Sequence, residues 1–126
     1  MNRQLISSGS PWEGPVGYSR AVRVGNLVEV AGTTAMDGDM VTGTDCYTQT
    51  KRILEKIADA LHEAGATMDH VVRTRIFVTD ITQWQEVGRA HGEVFKNIRP
   101  ASSMLEVRAL IDARLLVEIE ASAVIS

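Results

Sequence analysis

The sequence is poor in residues that staple, span or stack. One cysteine, Cys46, is present among 126 residues, so no internal disulfide can form, and a reducing compartment is expected. No apolar run approaches the ~20 residues of a bilayer-crossing helix. The polar opening Met1-Asn2-Arg3-Gln4 lacks the apolar stretch of a signal peptide. A cytoplasmic protein without membrane association is expected. Charge of one sign is also lacking: 13 Lys and Arg against 16 Asp and Glu give a net charge of −3, and aromatics are 5% of the chain. Nucleic-acid binding draws on a basic footprint and, for single strands, an aromatic platform, so no such partner is expected. His62, His70, His91 and Cys46 show no metal-ligand spacing. Gly9, Gly14, Gly17, Gly38 and Gly43 fall outside the strand–loop–helix context that cradles phosphate. Neither metal nor cofactor is expected.

What remains is the mix of a globular domain, 44% hydrophobic and 23% charged. The length suits one core, so residues 1–126 read as a single domain. A domain of this size buries about two thirds of its unfolded surface, which leaves little apolar area for an internal cavity. A ligand site is therefore expected to be shallow or shared between subunits.

Gly25-Asn26 separates two alternating runs, Ala21–Val24 and Leu27–Ala31, and predicts a β-hairpin. Val22, Val24, Val28 and Val30 are expected on one side, with Arg23 and Glu29 on the other. Leu5-Ile6 suits a short edge strand. Ser8–Gly17 holds two of the three prolines and three of the ten glycines and reads as loop, as does Gly32–Thr44. From Asp45 the period changes: Thr50, Ile53, Leu54, Ile57, Leu61 and Ala64 recur at helical steps. Thr44 or Asp45 suits the N-cap and Gly65 the left-handed end. Val71–Val78 is β-branched throughout and predicts a strand. Trp84, Val87, His91, Val94, Phe95 and Ile98 mark a second helix, capped at Thr79, Asp80 or Thr82 and ending near Asn97 ahead of Pro100. Ser102–Val107 and Leu115–Val124 suit a closing, hairpin-like pair of strands. The order implies an α+β fold with two helices on one face of a mixed sheet.

Arg23, Glu29, Arg73, Arg75, Glu106, Glu118 and Glu120 alternate with apolar residues, placing both signs of charge on the sheet face away from the helices. Either that face meets water, or sheets of an oligomer oppose each other and the charges pair or bind a ligand between subunits. Phe77, Leu105 and Leu116 on the same face favour association.

Several segments together resemble the RidA (YjgF, L-PSP-like) family. They are Tyr18-Ser19-Arg20-Ala21-Val22, the hairpin ending at Ala31-Gly32, Val72–Asp80, Arg99–Val107 and Val117–Ala121. The resemblance spans nearly the whole chain in order. It implies a chorismate-mutase-like α+β fold, a homotrimer with clefts between subunits, and hydrolysis of imines or enamines to a carbonyl compound and ammonia without a cofactor. It implies that Tyr18 lines the cleft, that Gly32 is the cleft glycine and that Glu120 positions water. The family's carboxylate-clamping arginine is absent: where the archetype reads Pro-Ala-Arg-Ser, this chain has Pro100-Ala101-Ser102-Ser103. Gly88 stands in place of a cleft asparagine. A serine hydroxyl offers one neutral donor where a guanidinium offers a charged fork, a loss on the order of 1–3 kcal/mol of anchoring. The resemblance is thus to a divergent branch with an altered small-molecule substrate. A non-enzymatic, metabolite-binding or chaperone-like trimer using the same clefts is the alternative.

Other readings stand beside these. Glu120 could equally be a strand carboxylate paired with Arg73 or Arg75. Arg75 could replace the missing clamp or form an intersubunit ion pair. Ser102 and Ser103 suit hydrogen bonding to a neutral ligand, and neither has a nearby histidine and acid arranged for nucleophilic catalysis. His91 reads as a hydrogen-bonded core imidazole, Cys46 as a small buried hydrophobe, Trp84 as core, and Trp12 as a border of the cleft.

Overall fold

The computed structural model describes residues 2–126. The chain runs β1 (Arg3–Ile6), α1 (Glu13–Val16), β2 (Ala21–Val24), β3 (Leu27–Thr33), β4 (Met36–Asp37), β5 (Met40–Val41), α2 (Cys46–Glu63), β6 (Val71–Val78), α3 (Trp84–Phe95), β7 (Ala101–Glu106) and β8 (Val117–Val124). Short 3-10 turns precede β6 and α3. Six strands form one mixed sheet in the order β1-β2-β3-β8-β6-β7. β6 and β7 are parallel and the other neighbours antiparallel.

The hairpin forms where Gly25-Asn26 predicts it, but its faces differ from expectation. A two-residue turn pairs residues of opposite parity: Val24 faces Leu27, Val22 faces Glu29 and Ala21 faces Val30. Directly opposed side chains share a face. Ala21, Val28 and Val30 therefore enter the core, while Val22 and Val24 join Glu29 on the open face. Arg23 goes to the helix side, where its Nη1 donates to Ala64 O at 2.7 Å at the end of α2. Glu106 also leaves the open face: it pairs in register with the buried Val78 and accepts from Ile81 N at 3.1 Å. Leu116 packs against the core.

α2 is the long amphipathic helix. Asp45 accepts from Thr48 N at 2.8 Å, satisfying an amide that the first turn leaves unpaired, and Gly65 takes φ +86° just past its end. Ile53, Ile57 and Leu61 are fully buried. Burial of each contributes on the order of 1.5–3 kcal/mol. The segment expected as loop after the first hairpin contains the small β4–β5 hairpin, strapped onto α2. Arg52 forks onto Asp37 at 2.8 and 3.0 Å, and Lys56 Nζ donates to Thr34 O and Met36 O. The Arg52 hydrogen bonds hold the Asp37 carboxyl down at about 2.

α3 buries Val87, Ala90 and Phe95, whereas Trp84 is 54% exposed. Its expected place in the core fails because the helix starts at Trp84 and its packed stripe begins one turn later. The last two strands are not a hairpin. α3 carries the chain back along the sheet, so β7 runs parallel to β6 on the outer edge. β8 then inserts between β3 and β6 and pairs antiparallel with both.

Candidate functional site

β-strand alternation places Glu118 and Glu120 together on the open face of β8, with Arg75 opposite Glu120 and Phe77 opposite Glu118 on β6. Tyr18, Arg75 and Glu120 line a cleft of about 740 Å³ bordered by Arg3, Glu13 and Glu29. A second hollow of about 480 Å³ is lined by Phe77, Leu110, Ile111, Glu118 and Glu120, so Glu120 belongs to both. Arg75 Nη1 lies 4.0 Å from Glu120 Oε1 within the same chain. Exposed Trp12 immediately precedes α1, whose Glu13 and following Gly17 reach the first cleft.

Glu118 differs from Glu120 in its surroundings. Burial pushes its carboxyl above the ordinary range, the Glu120 charge adds to this, and the Arg20 charge opposes it. Glu118 is half-buried, and its carboxyl makes no hydrogen bond among the described residues. The space it occupies exists because residue 32 is glycine: a Cβ there would collide with Glu118 Oε2. Gly32 sits where the β3–β8 register shifts, between Val30 and Thr33. Its carbonyl accepts from Arg20 Nη1 at 2.8 Å, and the Arg20 guanidinium stands 5.8 Å from the centre of the Tyr18 ring. Tyr18, Gly32, Arg75, Glu118 and Glu120 thus share one face. In the sequence Glu118 stands only as one of several alternating strand charges, and Arg20 only within the segment Tyr18–Val22. Two glutamates of equal parity on one strand cannot be told apart by alternation; the cross-strand glycine distinguishes them.

Ser102 lies on the other side of the sheet. It registers with buried Thr74, whose Oγ1 is 2.8 Å from Ser102 Oγ and 2.9 Å from His91 Nε2. His91 packs on Phe95 with ring centroids 4.6 Å apart, and burial pushes its imidazole below the usual range. A histidine thus belongs to the Ser102 network, one hydroxyl removed, without bonding the serine itself. No carboxylate bonds to His91 among the described residues, so no catalytic triad results. Gly88 lies one turn before His91 on α3, with open space where a Cβ would stand. Ser103 faces the open side and accepts from Arg73 Nη2 at 3.2 Å. Within one chain the sheet separates Ser102 and Gly88 from the Glu118 cleft.

Cys46 is buried, and burial followed by the Asp45 charge raises its thiol, keeping it protonated. Among the described residues no group of three His, Cys, Asp or Glu side chains could hold a metal ion, and no helix is long and apolar enough to cross a membrane.

The model of the family described as "Endoribonuclease L-PSP" matches residues 13–125. An uncharacterized Streptomyces coelicolor protein is 44% identical over 119 residues, covering 94% of this chain and 89% of the relative. A RutC family protein of Pyrococcus abyssi is 37% identical over 113 residues, covering 86% and 87%. The crystal structure of a YjgF/YER057c/UK114 family member from Mycobacterium tuberculosis superposes with a TM-score of 0.92 at 55% identity, covering 98% of this chain and all of the other. A Rid family protein of unknown function from Yersinia pestis gives a TM-score of 0.87 at 31% identity, covering 98% and 100%.

Proposed function

The chain belongs to the endoribonuclease L-PSP family, which the RidA, YjgF and RutC names also denote, and from that premise we propose that it hydrolyses imine or enamine metabolites in clefts completed between the subunits of a homotrimer. The observation that carries this reading is Glu118: a half-buried carboxylate with a raised proton affinity, no hydrogen-bond partner among the described residues, and a glycine opposite that leaves room beside it. Such a group suits a general base, because a raised proton affinity makes a carboxylate a better proton acceptor. Glu118 takes a proton from water as the water oxygen bonds to the C=N carbon, and passes that proton to the nitrogen, giving an amino alcohol. Glu118 then takes the hydroxyl proton and delivers it to the nitrogen as the C–N bond breaks, so that a carbonyl compound and ammonia leave and the carboxylate is restored; an enamine enters as its imine tautomer. Glu120, expected from sequence to position the water, is engaged by Arg75 and contributes the charge that helps raise Glu118. Tyr18 forms a wall of the cleft.

The division of candidate residues between two sides of the sheet supports sharing between subunits, because Ser102 and Gly88 can join a Glu118 cleft only from a neighbouring chain. The ribonuclease activity in the family's description is disfavoured by a net charge of −3, which gives no basic footprint for a phosphate backbone.

Ammonia release from freshly generated imino acids tests the reading. Glu118→Gln is expected to lower the rate on the order of a hundredfold or more, and Glu120→Gln to lower it less. Equal rates in the native protein and Glu118→Gln overturn it. Saturable binding with no turnover by the native protein would instead establish the metabolite-binding alternative.

A further inference from the structure

Arg20 is a half-buried guanidinium with no carboxylate within 4.0 Å among the described residues. Only Nη1 is engaged, donating to Gly32 O at 2.8 Å and Thr33 Oγ1 at 2.9 Å, with a longer approach to Ala31 O at 3.5 Å. Those acceptors pin the group against the irregular stretch of β3. The Nε and Nη2 protons, which form the side-on fork of the guanidinium, make no hydrogen bond among the described residues. Glu118 approaches Gly32 as well, and its carboxyl makes no hydrogen bond among the described residues. Two partly desolvated charges of opposite sign flank one glycine without forming an ion pair. Desolvation penalises both, so an arrangement of this kind is explained when a ligand supplies the missing partner.

We propose that Arg20 is the anion-anchoring residue of this site: its Nε–Nη2 edge takes the carboxylate of a small imino or oxo acid in two parallel charge-assisted hydrogen bonds. The carbon adjoining that carboxylate then lies toward Glu118, the carboxylate that activates water. The arrangement rests on the hydrolytic reading for its orientation, whereas the anion-binding role stands by itself. It also accounts for a serine at position 102: with the guanidinium supplied from the residue preceding β2, the β7 edge has no need of one, and a neutral hydroxyl is tolerated there. The Tyr18 ring that Arg20 stands beside lines the larger cleft.

The test compares pyruvate with its neutral amide, pyruvamide, by calorimetric titration of the full-length protein. The native protein is expected to prefer pyruvate by about tenfold or more. In Arg20→Met that preference falls toward one, and in Arg20→Lys it is intermediate, because an ammonium donates as a point charge and not as a fork. Arg20→Lys retains a donor toward Gly32 O and serves if the methionine variant does not fold. Failure of the native protein to bind pyruvate, or a preference that survives in the variants, overturns the proposal; the second result would make Arg20 a strut for β3 only. Glu118→Gln separates the two readings. It is expected to keep the pyruvate preference while losing ammonia release. If it releases ammonia at the native rate, the hydrolytic reading falls while the anion site stands.

Discussion

Two polar regions of the sheet are built on opposite principles. At the β7 edge, Ser102, Thr74 and His91 form a closed chain in which the buried Thr74 hydroxyl is bonded on both sides and no net charge is present. Around Gly32, the Arg20 guanidinium and the Glu118 carboxyl leave most of their hydrogen-bonding capacity unused. A buried polar group that is fully satisfied is explained by the fold alone. A half-buried ionisable group that has no counter-ion and leaves donors or acceptors unused is not, so the proposed function rests on Glu118 and Arg20, with a supporting role for Thr74.

The sharpest way to break this contrast is Gly32→Ala. The added methyl displaces the Glu118 carboxylate, and misplacing a reacting group by about 1 Å costs on the order of a hundredfold in rate. Ammonia release should therefore collapse; near-native turnover would remove Glu118 from the site. Next in size is Thr74→Val, which keeps the shape and deletes the shared hydroxyl. Leaving its partners unsatisfied should cost about 1–3 kcal/mol in urea unfolding. Ser102→Ala should cost less, since Ser102 is exposed and Thr74 keeps its bond to His91.

The two regions should also respond to pH with opposite slopes. Glu118 binds its proton more tightly folded than unfolded, so its ionisation lowers stability as pH rises from the ordinary 4.5 through the raised value. Glu118→Gln should accordingly melt higher than the native protein at neutral pH, with the difference closing below pH 4.5. His91 binds its proton less tightly folded, so its contribution is present above the ordinary 6.5 and is lost as pH falls through the lowered value. Thermal unfolding of His91→Gln between pH 7 and 5 should show a shallower decline than the native protein; the same decline in both would show that His91 does not titrate on unfolding.

Much of the fold is legible in the sequence because it is local. The caps Asp45 and Gly65, the apolar stripe of α2, the strand Val71–Val78 and the Gly25-Asn26 turn all depend on neighbouring residues. The missed features depend on distant ones. Parity across the hairpin follows from the turn having two residues, which sends Val22 and Val24 to the face opposite Val28 and Val30. The insertion of β8 between β3 and β6 has no local signature. Alternation brings Glu118 and Glu120 to one face, but only the β3 segment opposite, with its glycine, decides which is desolvated. Arg20 reads as an ordinary polar residue ahead of a strand until Gly32 is seen to accept from it.

The place of β8 carries a consequence for how the chain acquires its structure. β1–β2–β3 and β6–β7 can each pair within their own stretch of sequence, yet they meet only through β8, the last strand in chain order. During synthesis the two blocks must wait, each with an unpaired inner edge, until that strand emerges from the ribosome. Contacts of such long sequence separation form slowly, and exposed edges invite pairing between chains. The vulnerable interval in this protein's life is therefore the one before Val117–Val124 is available, and growth at elevated temperature should penalise slow translation of that stretch more than of any other.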